Sequence, residues 1–238
     1  MCRIKLYVLL FILGFQTASL HAQRPRFKYL TSKDGISQSE VYCFLQDRQG
    51  FMWFGTVDGL NKYDGYEITT FNTEKNNPNA ISNNTIRSLV EDKQGRVWIG
   101  TDDGLNVYFP QTETIYQIKI VNRGLLSINS MYISGDHLLL ATSQGLFFGS
   151  IASQELEEIE KDLKQLRFDE AAYANNYKPT FIIGSSQGGF WVFDNNGLIR
   201  ISLPLEGSKG IIVEEPEIAD RQGFISMIED KNKNLWLA

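Results

Sequence analysis

Cysteine, histidine and proline are scarce in this chain: two, two and six among 238 residues. Positive charge is also in short supply, with 23 Lys and Arg against 28 Asp and Glu. No basic stripe offsets that deficit, so binding to a phosphate backbone is excluded and no nucleic-acid partner is expected. Apolar runs are short. The longest covers residues 6–15, well under the ~20 residues that a membrane-spanning helix needs. Arg3 and Lys5 precede that run, and Leu20-His21-Ala22 follows it as a small-residue cleavage site. Residues 1–22 therefore read as a secretory signal peptide, cut after Ala22, and residues 23–238 as the mature chain. Cleavage takes away Cys2, His21 and two cations, leaving Cys43, His137 and a net charge of −7. One cysteine forms no internal disulfide, and Cys43 in "VYCFL" reads as a small buried hydrophobe. About 216 residues remain, enough to bury a sizeable core without staples or metals.

What the sequence does have is repetition. "GFMWFGTVDGLNKYDG" begins at Gly50, and "GRVWIGTDDGLNVYFP" begins at Gly95, 45 residues later. Residues 36–65 and 81–110 share a frame: I-S, an apolar strand, D-x-x-G-x-x-W, G-T-x-D-G-L-N and a tyrosine. Fainter copies follow at 138–148, 185–201 and 226–238. The anchor slot falls at Trp53, Trp98, Leu139, Trp191 and Trp236, with gaps of 45, 41, 52 and 45. Repeats of about 40–50 residues with strand character mark propeller blades.

The physics of one unit agrees. Val41–Gln46 and residues 51–55 are rich in β-branched and aromatic side chains, and Asp47-Arg48-Gln49-Gly50 between them makes a four-residue hairpin connection. Asp at the start of such a turn accepts bonds from the turn's own amides, and Gly at its end tolerates positive φ. A second tight turn at residues 57–60 leads to strands at 61–63 and 66–71. The expected fold is all-β: a β-propeller of four-stranded antiparallel blades, incomplete, with about four blades and the start of a fifth. Asp47, Gly50, Trp53, Asp58, Gly59, Asp92, Gly95, Trp98, Asp103, Gly104, Trp191, Gly197 and Trp236 are its structural repeat residues. The four tryptophans are expected to be equivalent wedges between sheets, each burying ~150–250 Å². Residues 27–30 align with the outer strand of a preceding blade, and the sequence is expected to be the N-terminal piece of a longer protein. Residues 153–172 break the pattern and admit two readings, an outer strand at 155–160 or a short amphipathic helix.

The D-x-x-G-x-x-W-x-G-T-x-D-G-L-N-x-Y frame resembles the two-component regulator propeller repeat, strongly over 36–110 and weakly over 138–238. The resemblance implies the periplasmic sensor region of a hybrid two-component system of the Bacteroides type. It implies a carbohydrate ligand, partners in further blades and downstream kinase domains of an inner-membrane parent, and no catalysis by this segment; homodimer formation is left open. Two enzyme families are also similar in part. The turn approaches the Asp-box of sialidase propellers, but with three residues from Asp to Gly in place of two, and no carboxylate pair stands out for glycoside hydrolysis. The G-x-x-W element resembles streptogramin-lyase propellers, which act through histidine, and only His137 remains, in a turn. Asp102-Asp103 lacks the alternate spacing of a calcium loop, Asn83-Asn84-Thr85 is a chance glycosylation match, and no metal or cofactor is expected. Ligand contacts are expected from loops that break the repeat, at 74–79, 117–123 and 171–178, with Tyr173, Tyr177 and Arg123 as candidate binding residues.

Overall fold

The computed structural model describes residues 28–120, 126–162, 164–165, 178–186, 188–194, 197–202, 212–214 and 226–237. The first sheet is β1 (Val41–Gln46), β2 (Met52–Thr56), β3 (Gly59–Tyr63) and β4 (Ile68–Phe71), and the second is β5 (Ile86–Glu91), β6 (Val97–Thr101), β7 (Gly104–Phe109) and β8 (Thr114–Ile118). In the third, β9 (Ile128–Ser134), β10 (His137–Thr142) and β11 (Gly145–Ser150) are followed by helix α1 (Leu156–Asp162) and then β12 (Lys164–Gln165). The fourth is β13 (Pro179–Gly184), β14 (Phe190–Asp194), β15 (Gly197–Ser202) and β16 (Ile212–Glu214), and β17 (Met227–Glu229) with β18 (Leu235–Leu237) makes the last. Every pairing is antiparallel between chain neighbours, in simple meander order. These are the blades of a partial β-propeller.

Each sheet packs its first strand beside the first strand of the next, so the core is a series of seams. Trp53, Leu60, Ile86, Leu89 and Ile99 fill the first, and Trp98, Val107, Ile128, Met131 and Leu138 fill the second. Leu139, Leu146, Ile182, Phe190 and Val192 fill the third, and Phe193, Leu198 and Met227 fill the fourth. This explains why "HLLLAT" does not alternate with polar residues: a sheet covered on both faces needs apolar side chains on both. Gly55 and Gly100 sit where neighbouring sheets come closest. A Cβ on Gly100 would lie 2.8 Å from Ile128 Cγ2, and one on Gly55 2.7 Å from Ile86 Cγ2, too near for any larger residue.

The tryptophan slot is sealed between sheets in the first two repeats. Trp53 and Trp98 are wholly buried and Leu139, in the same slot, is 1% exposed. Trp191 is half-buried and packs in the seam with Phe193, Leu198 and Met227. Trp236 is 62% exposed, in a sheet of which two strands are described. Residues 28–30 carry no strand, contrary to the expected outer strand at 27–30, and Phe27 lies outside the described residues. In the irregular segment, helix and strand both occur, in sequence. The helix takes residues 156–162, anchored by fully buried Ile159, and the outer strand is displaced to Lys164–Gln165, paired with Phe147 and Phe148.

All four full sheets share one register defect. Between the first and second strands a single residue is bulged out: Tyr42, Arg87, Asn129 and Thr180 in turn. A bulge re-aims its side chain away from the pleat.

Candidate ligand-contact surfaces

The D-x-x-G-x-x-W spacing is explained by one carboxylate. Asp47 Oδ1 accepts the amides of Gln49 and Phe51 at 3.0 and 2.9 Å, and its Oδ2 accepts the Trp53 indole N–H at 2.8 Å. Asp92 repeats this with Gln94, Arg96 and Trp98, and Asp230 with Asn232, Asn234 and Trp236. The Trp236 indole and the Asn234 side chain hold the Asp230 carboxyl well down, at about 2. Gly50 and Gly95 close their turns at φ of 93° and 83°. Where the aspartate is absent, the arrangement changes in a readable way. Gly135-Asp136 joins β9 to β10 directly, and leucine replaces tryptophan. Ser185 holds the aspartate slot of the fourth sheet, and the Trp191 indole donates to Glu229 of the next sheet at 3.2 Å.

The second half of the motif is equally internal. Thr56 Oγ1 donates to the Gly59 carbonyl and accepts the Asp58 amide, both at 3.0 Å. Asn61 Oδ1 accepts the Ser37 amide at 2.9 Å. Thr101, Gly104, Asp103, Asn106 and Ser82 reproduce the set, so Asp58 and Asp103 serve these turns through their backbone N–H. In the fourth sheet, Asp194 Oδ1 accepts the Gly197 amide at 3.0 Å, Gly197 itself standing at φ 133°.

A third internal series crosses the seams. Ser88 Oγ donates to the Ile128 carbonyl and Ser130 Oγ to that of Ile182, at 3.4 and 3.5 Å. Cys43 is the equivalent in the first sheet, its thiol directed at the Ile86 carbonyl at 3.9 Å. Burial pushes the Cys43 thiol up to about 12. Since the thiolate is the reactive form, Cys43 should resist alkylation at pH 8 in the folded protein and react rapidly in guanidinium. Mass spectrometry of the Cys43 peptide checks this, and fast native labelling would place the thiol outside the seam.

The repeated residues are therefore occupied by the fold, and two surfaces lie beyond them. One is a cleft of about 660 Å³ beside the irregular segment, lined by Phe109, Tyr116, Gln154, Glu155, Glu158 and Lys161 among others. The Phe109 and Tyr116 rings meet edge to face, with centroids 5.4 Å apart. Nearby, Arg96 is 1% exposed: its Nε bonds Asp92 at 2.6 Å, and its terminal nitrogens reach the Ile151 and Ser153 carbonyls just beyond β11. The other surface is the row of bulged residues. Arg87 forms a two-point ion pair with Asp102, Nε to Oδ1 at 2.7 Å and Nη2 to Oδ2 at 3.0 Å. That pairing raises the Arg87 pKa and lowers that of Asp102. Of the sequence-derived candidates, Tyr173, Tyr177 and Arg123 lie outside the described residues. Segment 74–79 is a self-bonded turn, Asn77 Nδ2 donating to Glu74 Oε2 at 2.8 Å. Neither surface found here was selected from sequence, although the bulged slot carried a signal: it varies among Tyr, Arg, Asn and Thr inside an otherwise apolar strand.

Residues 35–58 and 80–103 match the family described as two component regulator propeller. Over 69 residues, or 28% of the chain, it is 46% identical to histidine kinase P4 of Formosa agariphila, of which that stretch is 5%. Among solved structures, the extracellular domain of hybrid two component system BT3049 from B. thetaiotaomicron superposes with a TM-score of 0.70 at 21% identity, over 88% of this chain and 29% of that one. Virginiamycin B lyase from Staphylococcus aureus superposes with a TM-score of 0.62 at 16% identity, over 91% of this chain and 68% of that one. At those identities the structural likenesses establish the propeller fold. The chain spans a small part of both two-component relatives.

Proposed function

We propose, from the premise that the chain belongs to the two-component regulator propeller family, that it is the ligand-sensing part of an exported hybrid two-component sensor. It acts by binding, its ligand is a carbohydrate, and phosphoryl transfer belongs to domains elsewhere in the parent protein. The observation that carries this reading is the division of labour within the repeat. The motif's aspartate, tryptophan, threonine and asparagine atoms are tied inside the sheets, so recognition falls to positions that differ between repeats. Those positions offer aromatic rings beside charged and amide groups, the combination that packs on a pyranose face and bonds its hydroxyls. The signal-peptide reading of residues 1–22 and the extracellular placement of the BT3049 domain support export.

Titration of the purified protein with neutral and acidic oligosaccharides, followed by tryptophan fluorescence and by chromatography of the sugar, tests this. Saturable binding with the sugar recovered intact is the expected result. Cleavage of the sugar would overturn the binding role in favour of a propeller hydrolase or lyase, and no response to any sugar would overturn the ligand class.

A further inference from the structure

The bulged residues stand side by side. The Arg87 guanidinium carbon lies 5.4 Å from the centre of the Tyr42 ring. Arg87 is paired with Asp102, and Ser127 Oγ lies 3.1 Å from both Asp102 Oδ1 and Asn129 Oδ1. Asn129 Nδ2 in turn donates to the Pro179 carbonyl at 3.0 Å, next to Thr180. One string of polar and aromatic groups therefore runs across the first strands of four successive sheets. It is also open to solvent. The residues flanking the bulges in β5 and β9 are buried, whereas Arg87 is exposed and Asn129 half-exposed; in β1 Tyr42 is 42% exposed beside Val41 at 38%, and Thr180 is exposed. In β5 the pairs on either side, Ile86 with Thr101 and Ser88 with Gly100, leave Arg87 with no ladder partner in β6.

We propose that Tyr42, Arg87 and Asp102 form a sugar-contact site that takes neutral pyranose units, with Ser127 and Asn129 as the residues that position it. This rests on the carbohydrate reading above and gives it a place and a selectivity. The Tyr42 ring is the stacking platform. Arg87 spends two of its three nitrogens on Asp102, and among the described residues the third makes no bond within the protein, so it points a donor at a ligand hydroxyl. Asp102 is an acceptor held in place from two sides. A paired cation and anion a bond's length apart present a donor and an acceptor with no net charge, which suits adjacent hydroxyls of a neutral ring. An acidic sugar would have to displace Asp102 from Arg87 to gain a charge contact, and would be disfavoured. Among the described residues, the Lys161, Glu155, Glu157 and Glu158 side chains of the outer cleft form no ion pair with one another.

The test uses the full chain with malto-, cello-, xylo- and laminari-hexaose and with hexagalacturonate as the acidic probe. The expected result is that at least one neutral hexaose binds, that hexagalacturonate binds at least ~10-fold more weakly, and that Tyr42→Ala and Arg87→Ala each weaken the neutral sugar by ~10-fold or more. Tyr66→Ala, at a residue 92% exposed and outside both surfaces, should leave affinity unchanged. Tyr42 is exposed, so its loss spares the fold, and near-UV circular dichroism verifies this for each variant. Arg87→Lys, which keeps charge but loses the two-point pair, should also weaken binding. Unchanged affinity in Tyr42→Ala and Arg87→Ala, or loss in Tyr116→Ala alone, overturns the site while the carbohydrate reading stands. Preference for hexagalacturonate overturns the selectivity. Absence of binding to every hexaose overturns the ligand class, and the site with it.

Discussion

Replacing Trp98 with alanine should destabilise the protein by about 3–5 kcal/mol, the range for deleting a large buried aromatic side chain. The side chain is wholly buried and fills the seam between the second and third sheets against Leu126, Ile128 and Met131. Its removal leaves a void that β-sheets pinned by their own ladders cannot close. It also strips Asp92 of the indole donor. Denaturant unfolding followed by circular dichroism measures the effect, and a loss under ~1 kcal/mol would show that the seam repacks around the gap. Trp98→Phe keeps much of the volume but loses the indole N–H, so it should fall between the two and separate packing from hydrogen bonding.

Asp92→Ala should cost a similar ~3–5 kcal/mol for an electrostatic reason. Asp92 and Arg96 are each 1% exposed and paired at 2.6 Å. Removing one partner of a buried pair leaves an uncompensated charge, which is far more damaging than the pair is stabilising. The same carboxylate also closes its turn and holds Trp98. Asp47→Ala should cost less, because the residue matching Arg96 in the first sheet is Phe51 and no charge is stranded. Equal losses in the two variants would mean that the turn, and not the ion pair, sets the cost. Trp98→Ala and Asp92→Ala share a network, so the double variant should lose clearly less than the two single losses together.

The sequence by itself determined whatever is decided within one hairpin. The aspartate that bonds residues two, four and six places ahead, the glycine that closes the turn, and the threonine and asparagine of the next turn act over short stretches of chain. Their spacing therefore survives as a legible motif, and its recurrence announces the blades. The slot holding Leu139 was equally legible, because its repeat frame persists around it. Tertiary structure decided what depends on the neighbouring sheet. Whether a tryptophan in the slot is buried depends on what covers its face, as the second and third sheets cover Trp53 and Trp98. Glu229 supplies Trp191 with the acceptor that its own turn lacks, from 38 residues away. Arg96 bonds carbonyls 55 and 57 residues on, which no local pattern encodes. The bulged row has the same origin. Tyr42, Arg87, Asn129 and Thr180 are unremarkable singly, and only the stacking of four first strands brings them together, since contacts between sheets are fixed by packing geometry and not by the spacing of residues along the chain.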